Sequence, residues 1–177
     1  MADENNQDFA SMQEAFGLKG AAIADYPMYR GLAKLIGMEP LETGSSLYKK
    51  INTLAHNWED YDFFYVHAKR CDTAGEDGDA NHKGTLIEEA DGVVARILSQ
   101  KPDAVMVTGD HSTPCVLKAH SWHPVPVVIW SPQCRPDGVN KFGERQCLQG
   151  ALGPRFPATD LMTLLLAHAG RLAKFGA

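Results

Sequence analysis

Asp110 and His111 stand side by side in Thr108-Gly109-Asp110-His111-Ser112-Thr113-Pro114, immediately after the apolar run Ala104-Val105-Met106-Val107. A buried strand ending on an acid and an imidazole delivers two groups that are costly to bury to the rim of a sheet. In open α/β sheets that rim, at the carboxyl ends of the strands, is where ligands bind. Two further clusters join this pair: the acidic stretch from Asp72 to Asp79, with Glu76 four residues after Asp72, and His120 with His123. Carboxylates mixed with imidazoles suit a divalent transition ion such as Mn²⁺ or Zn²⁺, whereas an all-oxygen set would favour Mg²⁺ or Ca²⁺. Asp72, Glu76, Asp110, His111 and His120 are therefore the candidate ligands. One loop or helical turn can present both Asp72 and Glu76. Asp110 and His111 point in different directions, which suits two nearby ions, or one ion and its outer shell. Two ions stabilise both the attacking and leaving oxygens of a phosphoryl transfer.

Each group has an ordinary alternative when taken alone. The stretch 72–79 reads equally as a solvated acidic loop, Asp110 as a helix cap, and His120 or His123 as surface histidines. Their recurrence at consecutive strand exits is what points to a metal centre. Beside it, His67 with Lys69 makes a credible phosphate-facing pair, against the plainer reading of His67 as a core histidine. Arg30 and Lys34, four apart on one helix face, form either a solvated basic face or a clamp on an anionic substrate. His56, His82 and His168 read as structural or surface residues.

The elements that must position these groups alternate between strand and helix. Strands are expected over 18–24, 61–68, 104–107 and 125–130, from β-branched, aromatic or continuous apolar composition. Helices are expected over 28–36, opened by Pro27 and stopped by Gly37, over 47–54, and over 85–99, where acidic residues come early and Arg96 late. A closing helix is expected over 158–174, with Gly176 just beyond it. Residues 1–13 read as a polar N-terminus, 75–84 as a Gly- and Asp-rich loop, and 133–156 as irregular. Such alternation implies an α/β fold with a largely parallel sheet flanked by helices, the exits of the second and third main strands sharing one edge.

At 177 residues the length suits one domain with a real core. A net charge of -5 and a pI near 5.8 exclude a basic nucleic-acid footprint, and no basic run exceeds two residues, which excludes a polybasic membrane patch. The start of the chain is polar rather than signal-like, and Cys71, Cys115, Cys134 and Cys147 lack CxxC spacing. Reduced thiols and a cytoplasmic location are the expectation.

In combination, several segments resemble the archaeal-type cofactor-independent phosphoglycerate mutases of the alkaline phosphatase superfamily. They are residues 17–31 (GLKGAAIADYPMYRG), 72–78 (DTAGEDG), 108–114 and 120–126 (HSWHPVP), with 156–160 and 174–177 near the end. The likeness runs from about Phe16 onward. It implies that 16–177 form the C-terminal part of an alkaline phosphatase-like domain, behind a polar segment 1–15. It further implies two divalent ions, Mn²⁺ first and Zn²⁺, Mg²⁺ or Co²⁺ as alternatives, with no 2,3-bisphosphoglycerate. The substrate would be 2- or 3-phosphoglycerate, in glycolysis and gluconeogenesis, with a phosphoserine as intermediate. By position, Asp72, Glu76 and His120 would hold one ion, and Asp110 with His111 the other. Lys19, Arg30, Lys34, His67 and Lys69 would contact phosphate or carboxylate.

Two departures stand out. Many relatives carry His where this chain has Glu76, which adds negative charge to the site. The family's N-terminal strand with a metal-binding Asp, and the nucleophilic Ser after it, have no counterpart before Phe16. Ser112 matches no nucleophile position, so no catalytic residue is assigned. The implied partner is the missing N-terminal half, without which the chain is expected to be inactive and to expose an apolar face prone to self-association. The rival expectations are a phosphatase or phosphotransferase of the same superfamily, and a noncatalytic metal-binding domain.

Overall fold

Strand β1 (Gly20–Ile23) is buried along its whole length, as a continuous Ala-rich run requires when both faces and both edges are covered. It lies in the middle of a parallel three-stranded sheet, between β2 (Glu39–Pro40) and β3 (Phe63–Val66), with Gly20 opposite Phe63 and Ile23 opposite Val66. Two of the expected strands thus form inside 18–24 and 61–68, each four residues long, while β2 escapes a propensity reading because it is two residues long and half proline. Proline, lacking an N–H, is tolerated at such an edge. The structure, a computed structural model, describes residues 9–172. It divides into two compact units, one of residues 9–74 and 80–100, the other of 75–79 and 101–172.

In the first unit, helix α1 (Met12–Phe16) begins inside the segment expected to be only a polar terminus. Ser11 caps it by accepting from the Glu14 amide at 3.2 Å, while the Glu14 carboxylate accepts from the Ser11 amide at 2.9 Å. Helices α2 (Pro27–Leu35) and α3 (Leu47–His56) form where the sequence places them. The stretch 75–84 is not the expected loop. Helix α4 (Arg70–Asp77) runs into it, and α5 (Ala80–Leu98) starts five residues before the expected 85. Only Gly78 and Asp79 separate the two, and Gly78 takes the left-handed φ of +77° that a tight joint needs. Asp and Gly are weak helix formers, which argued for a loop. A helix needs only one buried stripe, however, and Ala74 and Leu86, each under 5% exposed, suffice. The core of this unit is Leu18, β1, Ile51, Leu54, Leu86 and Val93, with α3 packed on both β1 and α5.

In the second unit, β4 (Val105–Thr108) pairs with β5 (Val127–Trp130), and the pairing is antiparallel, Val105 opposite Trp130 and Thr108 opposite Val127. This corrects the expectation that both would extend one parallel sheet. Apolar runs report burial but not direction, and the long connection 109–126 has room to reverse the chain. Residues 133–156 are irregular as expected apart from α6 (Glu144–Cys147). Asp137 ties them down, its carboxylate accepting from the Val139 amide at 2.9 Å and the Ala151 amide at 2.8 Å. These backbone bonds hold its carboxyl below the usual range. Helix α7 (Leu161–His168) packs on β5 and ends at Gly170, where φ is +69°. It therefore stops short of the expected 174, and Gly176 lies outside the described residues. The fold class is α/β, with a parallel sheet flanked by helices.

Candidate metal centre

The loop between β4 and β5 is folded back on itself by a single bridge, the Ser121 amide donating to the Ser112 carbonyl at 2.8 Å. Each serine directly follows a candidate ligand, so the bridge brings His111 and His120 together, ring centroids 3.8 Å apart. Between them Pro114 starts a tight turn, its carbonyl accepting from Leu117 and Lys118, and Lys118 sits at a φ of +50°. The Lys118 aliphatic chain lies against Gly78, where any Cβ would come within 2.4 Å of its Cε. That contact seats the loop on the end of α4, and Glu76 Oε1 lies 3.6 Å from His120 Nε2. Asp110 Oδ2 is likewise 3.6 Å from His111 Nε2, while its Oδ1 accepts from the His111 amide at 3.0 Å. The second unit by itself therefore gathers Glu76, Asp110, His111 and His120.

The spacing decides what these groups suit. A separation of 3.6 Å is too long for a good N–H···O bond. It is close to the ~3.4 Å expected between two donors that share a tetrahedral ion at about 2.1 Å. Nδ1 of His111 is 3.1 Å from the hydroxyl of buried Thr113, which leaves Nε2 on the Asp110 side. Engaging one ring nitrogen this way orients the ring, a usual support for a metal-binding histidine. Two imidazoles and two carboxylates, each partly exposed, fit a divalent ion within reach of solvent.

Asp72 lies in the first unit, one helical turn before Glu76, and so shares its face of α4. Its carboxylate, 14% exposed, is ion-paired with Lys69, and its amide donates to the Lys69 carbonyl at 3.0 Å. Lys69 also lies over the Tyr26 ring, at 5.2 Å, and the His67 ring packs on Tyr29 at 3.9 Å. Arg30 reaches the same carboxyl edge, donating to the Leu41 carbonyl at 2.9 Å and pairing with Glu42. Lys34, a turn further along α2, is exposed. Lys19 is not brought to this edge. It precedes β1, over the Tyr61 ring at 4.6 Å, because parallel strands put residues before and after β1 at opposite rims. His123 turns to Ser121 Oγ at 2.8 Å and stacks on Trp122.

Lys50 and Asp25 were missed in the sequence. The Lys50 side chain is 2% exposed, and its ammonium donates to Asp25 Oδ1 and to the His67 carbonyl, both at 2.6 Å. Burial pushes the Asp25 carboxyl up, but the Lys50 hydrogen bond and charge, helped by a backbone bond and the His67 ring, outweigh it and leave the group below its usual 3.8. A signal existed: Lys50 interrupts the apolar stripe Leu47, Ile51, Leu54 of α3, where a solvated lysine does not belong.

These features, a metal-type donor set at the strand exits of an α/β fold, accord with the family comparison. The chain belongs to the metalloenzyme superfamily, which it matches over residues 2–168. More particularly, it is 55% identical over 170 residues to a probable 2,3-bisphosphoglycerate-independent phosphoglycerate mutase of Thermotoga neapolitana, covering 96% of this chain and 42% of the relative. A protein of the same description from Thermus thermophilus is 49% identical over 172 residues, again with 42% of its length covered. Among solved structures, the PH0037 protein from Pyrococcus horikoshii superposes with a TM-score of 0.88 at 31% identity, over 95% of this chain and 46% of that one. A cofactor-independent phosphoglycerate mutase from Thermoplasma acidophilum shares the fold, with a TM-score of 0.71 at 24% identity, over 92% and 39% of the two chains. The chain thus spans less than half the length of the relatives it matches.

Proposed function

We propose that this chain is the C-terminal, metal-binding part of a cofactor-independent phosphoglycerate mutase, residues 16–177 belonging to its alkaline phosphatase-like domain. The Glu76–His120–His111 cluster carries the reading, because its 3.6 Å carboxylate–imidazole separation suits a shared ion. Relatives of 49–55% identity bearing the mutase description support it. Glu76, His120 and Asp72 hold one divalent ion, and Asp110 with His111 contribute to a second, Mn²⁺ being the first choice and Zn²⁺, Mg²⁺ or Co²⁺ the alternatives. Bound there, the ions supply positive charge that stabilises a phosphoryl group in transfer. Lys69, Arg30 and His67, at the carboxyl edge of the sheet, orient the phosphate or carboxylate of 2- or 3-phosphoglycerate, and Lys34 adds positive charge nearby. Lys19 is placed for this role least well, since it lies at the other rim. The nucleophilic serine comes from a polypeptide supplying the remaining length of the relatives. The complete enzyme acts in the cytoplasm, in glycolysis and gluconeogenesis, without 2,3-bisphosphoglycerate; among the described residues no helix is long and apolar enough to cross a membrane.

The test is reconstitution. The chain is mixed with the N-terminal portion of a relative, Mn²⁺ and 3-phosphoglycerate, and products are followed by ³¹P NMR. Formation of 2-phosphoglycerate, abolished by His120→Ala, is the expected result. Release of inorganic phosphate alone would instead indicate a phosphatase. A mixture that binds Mn²⁺ through these residues yet turns over nothing would indicate a noncatalytic metal-binding domain.

A further inference from the structure

Lys50 is among the most buried side chains of the protein, and the metal site does not use it. Its ammonium sits where three elements meet at the carboxyl edge of the parallel sheet. It comes from α3, Asp25 lies two residues beyond β1, and His67 directly follows β3. Both contacts are 2.6 Å long, and the His67 carbonyl belongs to a residue held by backbone structure, its amide donating to the Ile23 carbonyl at 3.1 Å. The His67 ring is meanwhile held against Tyr29 of α2. Two residues further on, the Lys69 carbonyl accepts from the Asp72 amide at 3.0 Å and the Thr73 amide at 3.3 Å, which starts helix α4. A cation that pins the His67 carbonyl therefore sets where α4 begins and where the Asp72 carboxylate is presented.

We infer that Lys50, clamped between the Asp25 carboxylate and the His67 carbonyl, is a positioning residue that aligns the ligand-bearing helix α4 for metal binding. The inference rests on the metal site proposed above and deepens it. A buried ammonium suits the task better than an apolar side chain. Its hydrogen bonds are directional, and breaking either leaves an uncompensated buried charge or carbonyl, so the two strand exits are held in one arrangement. Asp25 neutralises the cation and Lys50 brings the exits together; neither touches the ion.

Two readouts on the 177-residue chain test this. Amide hydrogen exchange at Asp72 and Thr73 reports the start of α4 without any metal, and calorimetric titration with Mn²⁺ reports the consequence. In Lys50→Met, exchange at these two amides is expected to speed up at least tenfold, while β1 amides keep their protection, and Mn²⁺ affinity is expected to fall at least tenfold. Leu54→Ala, a buried substitution one turn further along the same helix, is expected to lower stability and leave both readouts within about twofold. If Lys50→Met does not fold, Asp25→Asn carries the same two measurements, with smaller changes in the same direction. Unchanged exchange at Asp72 and Thr73, or equal loss of Mn²⁺ affinity in Leu54→Ala, would overturn the positioning role. A wild-type chain that binds no Mn²⁺ while Lys50→Met still loosens α4 would sink the metal reading instead, and with it the purpose assigned to Lys50.

Discussion

Glu76 is the residue whose chemistry most affects which ion the site would prefer. Its carboxylate puts a negative charge and a hard donor 3.6 Å from His120. Glu76→His is therefore expected to raise affinity for Zn²⁺ relative to Mn²⁺, at least tenfold in the ratio, measured by competition titration. An unchanged ratio would show that Glu76 does not bind the ion. Asp25 makes a second prediction, in acid. Its folded pKa lies below its usual value, so its contribution is complete above about pH 4 and disappears as pH falls through the folded value. Urea unfolding should show wild type more stable than Asp25→Asn at pH ~6, the gap narrowing once the pH falls below about 4. Removing a partner from a buried pair costs about 3–5 kcal/mol, and the lower end is expected here because Asp25 is 29% exposed.

At the scale of elements, the β4–β5 loop and helix α4 carry the geometry, and both depend on left-handed joints. Gly78 combines a φ of +77° with the Lys118 side chain lying where a Cβ would go. Gly78→Ala therefore meets both a backbone penalty of about 1–2 kcal/mol and a clash. Chemical denaturation should register the loss, and Mn²⁺ affinity should fall with it, because the His120 loop is seated through that contact. Rescue by shortening Lys118 (Lys118→Ala) would remove the clash but leave the backbone term, so the double variant should recover only part of the stability. Much of this was legible in the sequence: the apolar runs marked β1, β3, β4 and β5, and Pro27 marked the start of α2. The helicity of 70–77 was not, because composition penalises Asp and Gly while tertiary contacts need only Ala74 and Leu86. Nor was the antiparallel direction of β5, whose connecting loop is folded back by a 2.8 Å bridge between two serines that no periodicity announces.

For the whole molecule, the second unit leaves Val116 91% and Trp122 84% exposed, on either side of His120 in sequence. Apolar side chains so exposed commonly mark a surface that another polypeptide covers. Analytical ultracentrifugation is expected to show concentration-dependent self-association of the isolated chain. Trp122→Ser should weaken it, and an added N-terminal portion of a relative should suppress it; a monomer at all concentrations would remove this expectation.

The amino-acid sequence alone determined which chemistry is available here, because ligand character belongs to residue type: carboxylates and imidazoles at strand exits read as a divalent-metal site, and contiguous apolar runs read as buried strands. Only the tertiary structure decided which of those groups meet. Glu76 and His120 are brought within 3.6 Å by a turn, a serine bridge and a lysine lying on a glycine, while Lys19 is carried to the far rim by strand direction. It also revealed the Lys50–Asp25 pair, since the cost of burying a charge is offset only by partners distant in sequence, and those partners exist only once the sheet and its helices have closed around them.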